Sequence, residues 1–259
     1  MAKDVWKPGQ YERFHEERAQ PFRDLLAGVE RRAGLRVVDL GCGTGEHTAS
    51  LHAELLPAST LGIDRSEAML DRSHPYAASG LRFERCPIED FAPERPFDLV
   101  FSNAALHWLP DHRALLGRIQ AWVAPGGQLA VQVPANHEHA SQTVAAEVAG
   151  EEPFRSALDG FQRVSPVLTP AGYEDALAAL GFEGVRVEPR VYPHTLGEPA
   201  DVIEWVKGTT LTDYERRLSP EVYAAFLERY RERLLAVLPD ERPFRFPFRR
   251  ILFWASCAG

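Results

Sequence analysis

Two rhythms of apolar residues divide the chain. Short valine- and leucine-rich runs bounded by glycine or proline read as buried strands, and stretches with apolar residues three and four apart read as helices. The first run is Leu35-Arg36-Val37-Val38-Asp39-Leu40, followed by Thr60 to Ile63, a short Leu81 to Phe83, a stronger Phe97 to Phe101, and Gln128 to Val133. Apolar on both faces, such runs suit a parallel sheet covered on both sides. Between them the pattern predicts a helix from the glycine turn at 41–45 to about Leu56, and another from Glu67 to about Ser73, capped by Ser66. A third helix, capped by Asp111, carries Leu115, Leu116, Ile119, Trp122 and Val123 on one face and stops at Pro125-Gly126-Gly127. Ahead of the first strand, Tyr11, Phe14, Phe22, Leu25, Leu26 and Val29 mark a helix from Tyr11 to Val29, with Pro21 placed to kink it. This alternation of strand and helix implies right-handed crossovers.

Beyond Pro134 the rhythm changes. Residues 135–168 read as irregular and polar, Tyr173 to Leu180 as a helix closed by Gly181, and Val185 to Val191 as a strand. Residues 201–238 read as helical, with Val222, Phe226, Tyr230 and Leu234 four apart, and Phe248 to Ala255 as a last strand. The expected fold is α/β: a Rossmann-like, doubly wound, mostly parallel seven-stranded sheet under a helical cap. Residues 1–34 would supply the N-terminal cap helix and 35–133 the core. Residues 134–259 would complete the sheet and carry the cap insertions, all within one compact domain.

Composition narrows the function. The 259 residues are 45% hydrophobic and 25% charged, with a net charge of −8. An acidic balance argues against a nucleic-acid partner. It leaves room for an anionic small molecule held by a local group of arginines. Cys42, Cys86 and Cys257 are odd in number and scattered, Met1 to Gln20 lacks an apolar signal core, and no apolar run approaches the roughly 18 residues of a membrane span. The expectation is a cytoplasmic protein with no membrane partner. His137 and His139 stand two apart in a polar stretch and no C-x-x-C occurs, so no metal site is expected. The pattern carries no signal for an oligomeric state.

The candidate chemistry lies in Val37-Val38-Asp39-Leu40-Gly41-Cys42-Gly43-Thr44-Gly45. Glycines after a first strand let the backbone turn tightly and approach a ligand. Their spacing is G-x-G-x-G, unlike the G-x-G-x-x-G of dinucleotide binders. Asp64 stands 19 residues after Gly45, at the end of the second strand. An acid there can accept from ribose hydroxyls and repels a 2′-phosphate. A plain tight turn and a solvated acid would explain either feature alone; both at the correct strand ends point to a ligand with an unphosphorylated ribose.

The stretch D-L-G-C-G-T-G at 39–45 resembles motif I of class I S-adenosylmethionine methyltransferases, a likeness covering most of residues 35–133. It implies S-adenosyl-L-methionine as cofactor. Gly41, Cys42 and Gly43 would pass beside its methionyl part, Asp39 would orient the turn, and Asp64, followed by Arg65, would hold the ribose. Met69 would lie near the adenine, or simply be buried in its helix. After the third strand, Pro87 in Cys86-Pro87-Ile88-Glu89-Asp90 takes the position of the family's acid. The Ile88 amide would then meet the ring, with Glu89 or Asp90 as substitute partner of the amine. Asn103 would meet the methionyl ammonium, and Arg18 the cofactor carboxylate.

Over nearly the whole chain the sequence is similar to the trans-aconitate 2-methyltransferase family. The similarity rests on W-x-P-x-x-Y-x-x-F-x-x-x-R-x-x-P from Trp6, F-S-N-A-A-L-H-W-L-P-D-H at 101–112, L-A-V-Q-V-P at 129–134, Tyr173, Tyr192-Pro193-His194, Glu204-Trp205-Val206, Gly208-Thr209 and the terminal F-R-R-I-L-F-W-A. The resemblance implies esterification of a small polycarboxylic acid. A carboxylate is already ionised at neutral pH, so alignment and exclusion of water would replace a catalytic base. Arg250, which matches a family arginine, would anchor the acid. Tyr11, Trp108 and Trp205 would wall the site, and His107, Tyr192 and His194 would supply donors and the only catalytic candidates. His107 stands where the family carries glutamine. Other readings stay open at this point: methylation of another carboxyl, such as that of a malonyl thioester, a dinucleotide oxidoreductase, or a binding module without turnover.

Overall fold

The computed structural model describes residues 15–259, with side chains from residue 19 onward. Tyr11 and the Arg18 side chain therefore lie outside the described residues.

Seven strands form one sheet in the order β3-β2-β1-β4-β5-β7-β6. β1 (Arg36–Leu40), β2 (Ser59–Asp64), β3 (Leu81–Arg85), β4 (Phe97–Asn103) and β5 (Val123–Pro134) run parallel. β7 (Phe244–Ser256) lies antiparallel between β5 and β6 (Glu183–Leu196). Order and directions agree with the expected doubly wound, mostly parallel sheet. No helix among the described residues is long and apolar enough to cross a membrane.

Side-chain alternation assigns the two faces. Val38, Leu40, Val100, Leu129, Val131, Ile251 and Phe253 pack on one face with α4 (His112–Gln120) and α7 (Pro170–Ala179). Val37, Leu99, Phe101, Ala130, Leu252 and Trp254 pack on the other with α1 (His15–Ala27) and α2 (Glu46–Leu55). Asp39, Asn103, Gln132 and Arg250 continue this second series and so share the α1 face. A third cluster caps that end: α5 (Ala140–Ala149), α6 (Phe154–Ala157), α8 (Asp201–Lys207), α9 (Thr212–Glu215) and α10 (Pro220–Val237) close over Phe244, Phe246 and Phe248 of β7.

Several elements depart from the expected pattern. α3 (Glu67–Leu70) is a single turn, begun as expected by Ser66 capping the Met69 amide, and Pro75 sits in a separate 3-10 turn at His74–Tyr76. Val123 belongs to β5 rather than α4: the Phe97 amide bonds the Trp122 carbonyl, and Pro125-Gly126-Gly127 forms an irregularity within the strand. The pattern treated those residues as a terminator because burial alone does not separate a helix end from a strand start. Residues 140–149, expected to be irregular, form α5, burying Val144, Ala145 and Val148 against the cap. Residues 201–238 split into three helices, the last opened by Ser219 as cap and Pro220 at its first position. β6 and β7 run past their expected ends. The extra N-terminal residues of β7, Phe244 to Pro247, pair with β6 alone, so Pro247, opposite Pro193, breaks no interior ladder.

Candidate functional site

The site is built at the carboxyl ends of the parallel strands, where β1 turns into α2. The Gly41 and Cys42 amides bond the Ile63 carbonyl at 2.8 and 2.9 Å, which fixes the turn against β2. Gly41 has φ 78°, and a Cβ there would lie 2.2 Å from the Ala105 Cβ. Only glycine lets the two strand ends approach so closely. Gly43 also has positive φ, 56°, yet a Cβ on it would meet nothing within 4 Å. Its backbone borders open space.

Asp64, at the end of β2, accepts from the Gly43 amide at 2.9 Å and the Ser66 amide at 2.8 Å, one on each oxygen. A carboxylate retains further lone pairs beyond these two. Asp39 is buried and accepts from the Thr48 hydroxyl at 2.6 Å. Burial pushes its carboxyl up to about 7, the Thr48 bond opposing and Asp64 adding to the rise. A cation brought beside Asp39 would favour its ionised form. The Cys42 thiol is driven well above its ordinary value by burial and by Asp39 and Asp64, and so stays neutral.

Beside the glycine turn, Ile88 sits in a 3-10 turn, its Cδ1 3.8 Å from a Cβ placed on Gly41. Glu89 of that turn pairs with Arg65 at 3.5 Å across the ends of β2 and β3. Met69 is buried at 4% exposure, so its side chain serves the core of the β2–β3 crossover.

On the other side, β4 ends at Asn103, whose Oδ1 is buried without a hydrogen-bond partner. The next residue, Ala104, has φ 56°, costly for a residue with a Cβ, and is held by its amide bonding the Gln132 carbonyl at 2.9 Å. Gln132 is wholly buried, lies beside Asn103 in register, and accepts from Arg250 Nη1 at 3.2 Å. Its Nε2 has no partner. Arg250 is 5% exposed, with its guanidinium 4.8 Å above the Phe248 ring. Three polar groups from β4, β5 and β7 thus stand in a row on one face.

His107 follows in a 3-10 turn at Leu106–Trp108. Its Nδ1 is buried without a partner. Burial lowers its pKa to about 3, and the nearby charges of Arg163 and Arg250 add to the shift. The ring therefore stays neutral throughout the physiological range. The turn is fixed from below by His112, whose Nε2 lies 3.1 Å from the Leu106 carbonyl and whose Nδ1 lies 2.5 Å from the Tyr173 hydroxyl. With Nε2 donating, Nδ1 accepts from tyrosine, and burial lowers the His112 pKa in keeping with a neutral ring.

The remaining expected residues are placed differently. Tyr192 donates its hydroxyl to Asp24 of α1 at 2.7 Å, and Asp24 also pairs with Arg190 at 2.9 Å. Burial and Asp24 push the phenol up to about 12. Tyr192 thus ties β6 to α1. His194 is 3% exposed and stacks on Trp205 at 4.6 Å between Phe246 and Phe248, forming the floor of the cap. Trp108 lies 4.8 Å from the His107 ring. Gln132, Ala105, His112 and Arg163 were not singled out from the sequence. Gln132 carried a signal, being the lone polar residue in the apolar run Leu129 to Val133; Ala105 and His112 lay within the stretch at 101–112 without being marked out in it, and Arg163 carried none.

The chain has relatives of known name. The family described as "Methyltransferase domain" matches residues 11–187. A trans-aconitate 2-methyltransferase from Deinococcus radiodurans is 45% identical over 258 residues, covering 97% of this chain and 98% of the relative. Those of Streptomyces avermitilis (39% identical, 95% and 94% covered) and Variovorax paradoxus (38%, 90% and 90%) are similar. Among solved structures, the YcgJ protein from Bacillus subtilis superposes with a TM-score of 0.61 at 18% identity, covering 93% of this chain and 99% of that one. A Haemonchus contortus phosphoethanolamine N-methyltransferase in complex with S-adenosylhomocysteine gives 0.56 at 18%, covering 93% of this chain and 53% of that one. These structural likenesses concern the fold.

The His112 linkage yields a measurable expectation. Tyr173→Phe leaves Nδ1 of His112 buried without its donor, which costs about 1–3 kcal/mol. Urea unfolding should show that loss of stability. A midpoint equal to the wild type's would remove the tyrosine from the support of the Leu106–Trp108 turn.

Proposed function

Given that this chain belongs to the trans-aconitate 2-methyltransferase family, we propose that it esterifies a carboxylate of trans-aconitate. It is a methyltransferase and its cofactor is S-adenosyl-L-methionine. The residues present fit that group. Gly43 offers backbone beside open space, Asp64 brings a carboxylate to the end of β2 next to it, and the buried Asn103 Oδ1 lacks a donor that an ammonium would supply. When bound, the cofactor supplies an electrophilic methyl group on a positively charged sulfur. The observation that carries the acceptor reading is the buried Arg250 guanidinium on Gln132, on the same sheet face as Asn103.

The work of the protein's own residues is then positional. A carboxylate, with a pKa of about 4, arrives ionised and needs no base. Arg250, steadied by Gln132 and the Phe248 ring, holds a carboxylate that does not react, through a fork suited to two oxygens. His107, kept neutral, offers a hydrogen bond without adding charge near the nucleophile. The cap cluster around His194 and Trp205 excludes water, which would otherwise solvate the attacking oxygen. The Arg65–Glu89 pair and Ile88 border the adenine side. The helices of residues 134–259 choose the acceptor, and the core binds the cofactor.

Wild-type protein should methylate trans-aconitate in a screen of small di- and tricarboxylates, and Arg250→Lys should raise KM while leaving S-adenosylhomocysteine binding nearly unchanged. Arg250→Ala should lose about 2–5 kcal/mol in kcat/KM. Normal kinetics in Arg250→Ala would move the anchor elsewhere. Asp64→Ala should weaken S-adenosylhomocysteine roughly ten- to a hundredfold by calorimetry, since hydrogen bonds to a charged group contribute about 1.5–3 kcal/mol. With both substrates saturating, kcat should be flat from about pH 6.5 to 8.5, because the acceptor is ionised, His107, lowered to about 3, stays neutral over that span, and the bound cationic cofactor favours the ionised form of Asp39, which is otherwise raised to about 7. A steep rise with pH would point to an amine, thiol or phenol acceptor.

A further inference from the structure

The apolar run of β5 carries one polar side chain into the interior. Gln132 stands between Val131 and Val133, wholly buried, on the sheet face it shares with Asn103 and Arg250. Its Oε1 accepts from Arg250 Nη1 at 3.2 Å. That contact settles which way the amide is turned: a guanidinium has only donors, so the atom facing it must be the oxygen. Nε2 is then the other arm of the same planar group, beside the guanidinium rather than bonded to it.

Nε2 is buried and bonds no described residue. The backbone cannot shift to find it a partner. β5 is paired with β4 and β7 on its two sides here, and the Gln132 carbonyl holds the Ala104 amide at 2.9 Å. A buried donor left unmade is costly, and an apolar side chain of the same size would avoid that cost. Asn103, the neighbour of Gln132 in register on β4, likewise keeps a buried Oδ1 without a partner. The two unmet groups have opposite polarity. The Asn103 oxygen suits a cationic donor, and the Gln132 nitrogen suits an anion. The anion side is the one that touches Arg250.

We propose that Gln132 is a further acceptor-binding residue: Nε2 donates to a carboxylate oxygen of the methyl acceptor, while Oε1 holds the Arg250 guanidinium beside that same carboxylate. This rests on the acceptor's being a carboxylate gripped by Arg250, as argued above. A neutral amide combines the two contacts where a charged side chain could not. A glutamate would offset the Arg250 charge and repel the acceptor, and a lysine would offer Arg250 no oxygen.

Initial rates with trans-aconitate on Gln132→Met, unbranched and apolar, test the donor. KM should rise roughly ten- to a hundredfold, as for the loss of a hydrogen bond to a charged group, with kcat changed by less than about threefold. Gln132→Glu keeps an oxygen for Arg250 but has no amide donor, and should raise KM at least as far. Binding of S-adenosylhomocysteine, measured in parallel, should be unchanged in both variants and reports that they fold. A double-mutant cycle separates direct contact from an effect exerted only through Arg250. On the Arg250→Ala background, Gln132→Met should still lower kcat/KM by about fivefold or more. No further loss there would reduce Gln132 to a support for Arg250 and overturn the inference, as would a wild-type KM in Gln132→Met or Gln132→Glu. Weakened S-adenosylhomocysteine binding with an unchanged KM would assign Nε2 to the cofactor and overturn it as well. In each of these cases a wild type active on trans-aconitate leaves the proposed function standing. A wild type inert toward trans-aconitate overturns both.

Discussion

Strand β7 is bonded to β5 over Gln128 to Pro134 and to β6 over nearly its full length. That double pairing is the constraint on which the rest of the structure depends. Its C-terminal half, Ile251 to Ala255, is buried on both faces of the sheet. Its N-terminal half supplies Phe244, Phe246 and Phe248 to the cap cluster. One strand thus belongs to the cofactor-side core and to the cap, and Arg250 stands at the junction. The antiparallel ladder sets Arg250 opposite Pro134, so its side chain reaches Gln132 on the same face. A slip of one residue would turn the arginine to the opposite face, among Val131, Val133 and Tyr173.

The second constraint is the contact between two turns. Gly41 and Ala105 come so close that neither turn can move alone, and Ala104 is strained beside them. Strain of this kind persists only where surrounding contacts overdetermine it. Here those contacts are the Ala104–Gln132 backbone bond and the His112–Tyr173 support of the following turn. The cost is repaid in geometry: Asn103, Gln132 and His107 keep buried polar atoms without protein partners. Such groups are disfavoured in a folded core, and their gathering at the carboxyl ends of β4 and β5 suits a polar ligand.

The charges are arranged on the same principle. Desolvation keeps the His107 ring neutral and raises the Asp39 carboxyl to about 7. The Arg250 guanidinium is a permanent cation. Under the proposed function an anionic acceptor would meet that cation and a neutral ring, in surroundings where charge interactions are stronger than in water.

Much of this was determined by the sequence alone. The β1 run, the glycine turn and Asp64 are local features, since a strand end, a positive φ and an acid at the next strand end are each set within a few residues. The spacing of apolar positions likewise gave the seven strands and α10. Tertiary structure decided what local pattern leaves degenerate. Val123 reads equally as helix face or strand, and only the Phe97 pairing assigns it to β5. The apolar positions of α5 look sparse until the cap covers them. Tyr192 and His194 are two apart on one strand, yet the first is taken by Asp24 of α1 and the second by Trp205 of α8. Arg163, in a polar loop, is indistinguishable in sequence from a solvated arginine. Its place beside Asp213 arises from a contact 50 residues away, and no local pattern encodes which distant charge a side chain will meet.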